Sequence, residues 1–318
     1  MSKGLAEKIG DVFKPQVPLW ACELTSRHII VAGVDRSRRG IRATAASELP
    51  AGVVSTSYSE ANIRNSESVQ SSVKQLLTQA GFSGSEIVLV VPDDTSRIAF
   101  LTAEKHSKDP DEQRTFIRWK LKKTIPFEVD SAQIAFRVVG PQSGGAGVDI
   151  LVALSPRAVV EEYENLFDSL DIHAGMVVPS TLATLNLFHA PAGDSLFLKI
   201  ASDCVTTTVF KDQRMQFYRR VTEASLYDAS YPTVLYYQDK LGGTGLQHLF
   251  VCGYDRDIRP ALFELRDKLG LAPQPIGPAN VDDIFKPALG GVHYNFRSGS
   301  SLTPRDGPVE STLVHSGT

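Results

Sequence analysis

Between Glu112 and Phe136 the sequence crowds Arg114, Arg118, Lys120, Lys122 and Lys123 onto about three helical turns, interleaved with Phe116, Ile117, Trp119 and Leu121. These residue types do binding chemistry: the cations take anionic groups, and an aromatic framed by arginine is what interface hot spots favour. A solvated helix face offers the same cations, and both readings stand at this point. Catalysis has no comparable support. The chain has no Gly-x-Ser-x-Gly elbow, no phosphate loop ending in Lys-Ser/Thr and no His-Glu-x-x-His pair, so no catalytic residue is assigned. Gly242-Gly243-Thr244-Gly245 lacks the strand and lysine of such a loop and reads as a turn. Cys22, Cys204 and Cys252 lie far apart with no Cys/His cluster, which predicts buried thiols in a reducing compartment and no metal site.

The basic stretch must sit on a helix that ends at Ile125-Pro126-Phe127, because proline disfavours helical geometry in the residue before it. Gln133 to Val138 then alternates polar and apolar like a half-buried strand. Upstream, strands are expected over 19–24, 28–34 and 41–46, a helix over 66–80 stopped by Gly81, and a fully buried strand over 86–92. Residues 98–101 are expected to pair with these strands. Downstream come a strand at 148–154, a helix to Leu170, a strand at 172–178 and a connecting helix at 179–190. A three-strand meander over 196–221 follows, then a helix over 222–240 divided or kinked at Pro232, a strand at 248–252 and a helix stopped by Gly270. Tyr227, Tyr231, Tyr236 and Tyr237 are spaced as core aromatics of the helix that carries Pro232.

Composition narrows the class. A chain of 318 residues buries enough surface for two lobes. Its net charge of -3 argues against nucleic acid as a partner. No apolar run is long enough to cross a bilayer, and the N-terminus lacks a secretory signal, so a cytoplasmic protein is expected. Residues 3–13 place Leu5, Ile9, Val12 and Phe13 on one helical face, which suits local packing or peripheral membrane contact.

The order strand, strand, strand, helix occurs twice, from Leu19 and from Leu196. That duplication suits an α/β, actin-like (ribonuclease H-like) two-lobed fold with an inserted α+β subdomain. The expected divisions are an amphipathic segment (1–16), a first lobe (17–109), the inserted subdomain (110–172), a strand and connecting helix (173–193), a second lobe (194–296) and an unstructured tail (297–318). Ile117-Arg118-Trp119-Lys120 through Ile125-Pro126-Phe127-Glu128 resembles the PilM family of type IV pilus assembly proteins. The resemblance implies a scaffold at the inner face of the inner membrane. It would bind the cytoplasmic tail of a PilN-like inner-membrane protein and pilus motor-side components, with homo-oligomers as a further form. It also implies that Arg118, Trp119, Lys122, Lys123 and Phe127 lie near the groove that takes the tail.

The same resemblance implies a nucleotide site for ATP and Mg²⁺, on Glu23, Thr25, Ser26, Lys199 and Gly253. All three motifs depart from the family's pattern. The Asp-x-Gly-Ser-Ser turn has become Glu23-Leu24-Thr25-Ser26, and a β-branched threonine crowds a phosphate where glycine would admit it. Asp-x-Gly has become Lys199-Ile200-Ala201, which reverses the charge at the cation site unless Asp194 or Asp203 serves instead. The triple-glycine turn has become Cys252-Gly253-Tyr254. The expectation is a degenerate site and a binding protein rather than an enzyme. An active ATPase of the same fold, or a scaffold similar to the type II secretion protein GspL, are the alternatives.

Overall fold

A computed structural model of the chain describes residues 17–104, 107, 109–141, 147–202, 204–222, 225–254, 258–293 and 312–314; the expected helix at 3–13 and Asp203 lie outside them. β1 (Trp20–Leu24), β2 (His28–Val34) and β3 (Ile41–Glu48) form an antiparallel meander. α1 (Ser66–Gln79) starts at Asn65, whose side chain accepts a hydrogen bond from Ser68 N, and it buries Val69, Val73, Leu76 and Leu77. β4 (Glu86–Val91) returns beside β1 in parallel and is buried at every residue after Glu86.

The chain then leaves this sheet. A 3-10 turn (Asp93–Thr95) leads into β5 (Arg97–Ala103), α2 (Pro110–Leu121), β6 (Ala132–Pro141) and β7 (Val148–Pro156). The three strands form their own antiparallel sheet in the order β5-β7-β6. Ile117 and Leu121 of α2 pack on one face of it, against Ala103, Ile150, Val152 and Leu154. The helix ends at Leu121, earlier than the Ile125-Pro126 break, and the Leu121 carbonyl accepts from both Thr124 N and Ile125 N to close the turn.

α3 (Arg157–Asp168) returns to the first sheet, where Val159, Tyr163, Leu166 and Phe167 join α1 in one core. β8 (His173–Pro179) then pairs in parallel with β4. The separate unit therefore spans 97–156, not the expected 110–172. β5 shares its ladder with β7 rather than with the first-lobe strands, and α3 covers the first sheet.

α4 (Ser180–Leu185) leads to β9 (Ser195–Ile200), β10 (Cys204–Lys211) and β11 (Arg214–Thr222), a second meander. α5 (Leu226–Asp239) runs through Pro232 without a break. It buries Tyr237, whereas Tyr231 and Tyr236, expected in the core, are exposed. β12 (His248–Gly253) pairs in parallel with β9, α6 (Arg259–Leu269) ends at left-handed Gly270, and β13 (Pro273–Pro275) completes the sheet. Each lobe is thus a meander whose first strand takes a parallel fourth. The three cysteines are buried and unbridged. Within the tail expected to lack structure, β14 (Thr312–Val314) pairs in parallel with β3.

α4 and α7 (Lys286–Gly291) fill the space between the two sheets. Ala183, Ala288 and Leu289 pack on the first sheet, and Leu182 and Leu185 on the second. The two helices cross at Gly290, where a Cβ would lie 2.0 Å from the Ala183 carbonyl oxygen. Backbone cannot yield there as a flexible side chain would. Gly290→Val is expected to destabilise the protein by about 3 kcal/mol in urea unfolding, and an unchanged midpoint would show that the crossing has slack.

Candidate functional site

Groups expected to meet a nucleotide instead meet each other. Glu23 on β1 and Lys199 on β9 reach the seam between the lobes from opposite sides, and are only 1% and 2% exposed. Ser180 opens α4 between them. Its hydroxyl donates to Glu23 Oε1, and Lys199 Nζ donates to Ser180 Oγ at 2.5 Å. Asp93 accepts from Thr181 N at 2.8 Å, from Thr181 Oγ1 at 2.5 Å and from Thr206 Oγ1 at 3.4 Å, with Lys199 Nζ 3.8 Å away. Tyr254 donates to Glu23 Oε1 at 3.3 Å, and its ring centre lies 5.8 Å from Lys199 Nζ. Beside this cluster, Arg220 of β11 pairs with Asp94.

Burial and the neighbouring charges act in opposite directions on this cluster. Burial pushes the Glu23 carboxyl above its ordinary range, against the opposing pull of the Lys199 ammonium and the Ser180 hydroxyl. Burial alone would lower Lys199, but Asp93 and then Glu23 outweigh it, and the ammonium is held above its ordinary value. Asp93 thus has a buried cation beside it, while Glu23 Oε2 has no hydrogen-bond partner among the described residues.

The turns expected to hold ATP and Mg²⁺ are closed by their own contacts. Thr25 Oγ1 accepts from Arg27 N at 3.2 Å and His28 N at 2.8 Å and donates to His28 O at 3.1 Å, so these amides serve the turn itself. Ser26 belongs to that same closed turn. Gly253 N donates to Asp283 Oδ2 at 2.7 Å, and the other oxygen of Asp283 pairs with Lys286. An ammonium stands where a carboxylate is needed, and no cluster of metal-ligating side chains occurs among the described residues. Asp194 does not substitute: it precedes β9, at the strand end away from Lys199, and accepts from Tyr237 Oη at 2.7 Å. Sequence reading found Glu23 and Lys199 but missed Asp93, Ser180 and Thr206. A Pro-Asp-Asp run at the end of a buried strand was the available signal.

A second site lies where the separate sheet leans over the first. β8 and β6 each end their sheet, and the recess between them is about 300 Å³, with Ile134, Ala135, Val159, Val160 and Met176 among its walls and Glu164 on one side. Ala135 and Ala153 also line an adjoining space of about 440 Å³ bounded by Leu151, Leu182, Phe210 and Met215, with Arg137 and Arg214 beside them, and the two together are called the channel below. This channel is mostly apolar and flanked by the two outermost strands. Ala135 and Ala153 carry no chemical signature, which is why the sequence did not disclose it.

None of the five residues expected at a partner groove lines the channel. α2 packs on Ile150, Val152 and Leu154, and the channel takes Leu151 and Ala153, which alternate with them on the opposite face. Trp119 is 70% exposed on α2, with Lys120 Nζ 5.3 Å from its ring centre. Arg118 is half-buried and Lys123 exposed, and Lys122 pairs with Asp130 at 2.9 Å. Phe127 meets Tyr58 at 5.8 Å, tying the separate unit to a first-lobe loop.

No protein-family model and no curated protein matches the sequence. Among solved structures, a chain of a PilM–PilN type IV pilus biogenesis complex is similar at 16% identity and a TM-score of 0.72, covering 87% of this chain and 98% of that one. A Bacteroides thetaiotaomicron protein with an actin-like ATPase fold is 9% identical over 87% and 97%, with a TM-score of 0.51. The fold is actin-like. A further similar chain is the ethanolamine utilization protein EutJ of Carboxydothermus hydrogenoformans, at 10% identity, a TM-score of 0.50 and coverage of 89% and 92%. The expected two-lobed actin-like fold is therefore what the chain adopts, with the separate sheet as its insertion.

Two outcomes follow from the filled seam. ATP with Mg²⁺ is expected to leave the melting temperature unchanged, and a rise of several degrees at millimolar nucleotide would show that the turns open. Glu23 supplies a pH dependence. Its folded pKa lies above the ordinary 4.5, so its contribution to stability is fullest below that pH and is lost as pH rises through the folded value. Glu23→Gln should flatten this decline in urea unfolding between acid and about pH 8. Parallel curves for the two proteins would show that Glu23 does not carry it.

Proposed function

We propose that this protein is a scaffold of type IV pilus assembly that holds the cytoplasmic tail of a PilN-like inner-membrane partner in the channel between β8 and β6. The carrying observation is the channel itself. Two strands that are outermost in their sheets flank an apolar recess, the arrangement that receives an extended peptide by strand addition. Side chains along the recess then set which sequence is accepted. Similarity to a chain from a PilM–PilN complex supports the choice of partner. The seam between the lobes supports binding over catalysis, since the amides and charges there are engaged with one another. A tail held this way would keep the protein at the inner face of the inner membrane, with its other surfaces open to motor-side components or to further copies of itself.

A synthetic peptide of the partner's cytoplasmic tail is expected to bind with micromolar or tighter affinity in calorimetry. Ala153→Trp, which fills space at a residue lining both halves of the channel, should weaken it by about tenfold or more, ~1.4 kcal/mol. Trp119→Ala, on the opposite face, should leave it unchanged. Binding kept in the first variant and lost in the second would move the site to α2.

A further inference from the structure

Ala135 and Ala153 line both halves of the channel, so the two spaces adjoin at these residues. β6 runs beside it from Gln133 to Val139, which at about 3.3 Å per residue is roughly 20 Å, the span of some six extended residues. Charge is distributed unevenly along this length. Glu164 stands in the first half, Arg137 and Arg214 in the second. None of the three has an ion-pair partner among the described residues. Among the described residues Arg214 makes one hydrogen bond, to the Pro141 carbonyl at 3.1 Å, and most of its donors have no partner there.

We infer that the channel is charge-polarised and takes an extended apolar segment of about six residues, with a cationic group beside Glu164 and a carboxylate at the Arg137–Arg214 end. This rests on the channel reading proposed above and adds which sequences the channel accepts. A paired guanidinium fork suits a carboxylate, and a partly enclosed wall strengthens that pairing relative to open water. A segment with like charges at both ends leaves one end facing its own sign, which discriminates more sharply than the apolar contacts between. The Glu164 carboxyl agrees with this: burial, then Asp168 and Glu161, raise its pKa, against the weaker pull of His173 and Arg157.

Peptides of one apolar core with unlike, doubly basic or doubly acidic ends test the inference by fluorescence anisotropy on the full chain. The unlike pair should bind at least about tenfold more tightly than either other peptide. In Arg137→Glu combined with Arg214→Glu, the order should invert in favour of the doubly basic peptide. Both arginines are half-buried or exposed, and matching thermal melts would confirm that the variant folds. Equal binding of all three peptides, each weakened by Ala153→Trp, would overturn the polarity and leave the channel intact. No binding by any peptide would overturn both. Self-association that Ala153→Trp abolishes would make a second copy the occupant and overturn the inference as well.

Discussion

A lysine ammonium buried among two carboxylates and a serine hydroxyl holds the lobes in register. Charges are costly to remove from water, and they persist at a buried seam only where partners on both sides satisfy them. Lys199 comes from the second lobe, Glu23 and Asp93 from the first, and Ser180 from the helix between. Rotation of one lobe against the other would separate these partners. The constraint also reaches the channel. Pro179 lines it and Ser180 is the next residue, so the strand that forms one wall leads directly into the residue that bridges Lys199 and Glu23.

The channel owes its existence to interruption. Leaving the first sheet after β4 and returning at α3 puts a small sheet beside a larger one without joining their ladders. Exposed strand edges invite unwanted pairing, and recessing them between two sheets limits what can approach. Ala135 and Ala153, small residues common to both spaces, leave room between the sheets that larger side chains would fill.

Much of this frame was legible because periodicity reports burial. Val69, Val73, Leu76 and Leu77 mark one helix face, and the unbroken apolar run of β4 marks a strand covered on both sides. Periodicity does not report the partner, so α3 was assigned to the wrong sheet and β5 to the wrong ladder. α7 escaped notice because Lys-Pro-Ala-Leu-Gly-Gly is too short to show a repeat, although every residue in it is buried. Trp119 stands exposed on α2, and which face a helix turns outward depends on the sheet beneath it, not on the helix's own sequence. The seam was half legible: the charge reversal at Lys199 was visible, while its partners lie far away in sequence.

The threonine that closes the first turn has a wider consequence. By engaging Arg27 and His28 amides, Thr25 leaves the turn with its own hydroxyl as their acceptor. A turn built this way needs no bound group to complete its hydrogen bonds.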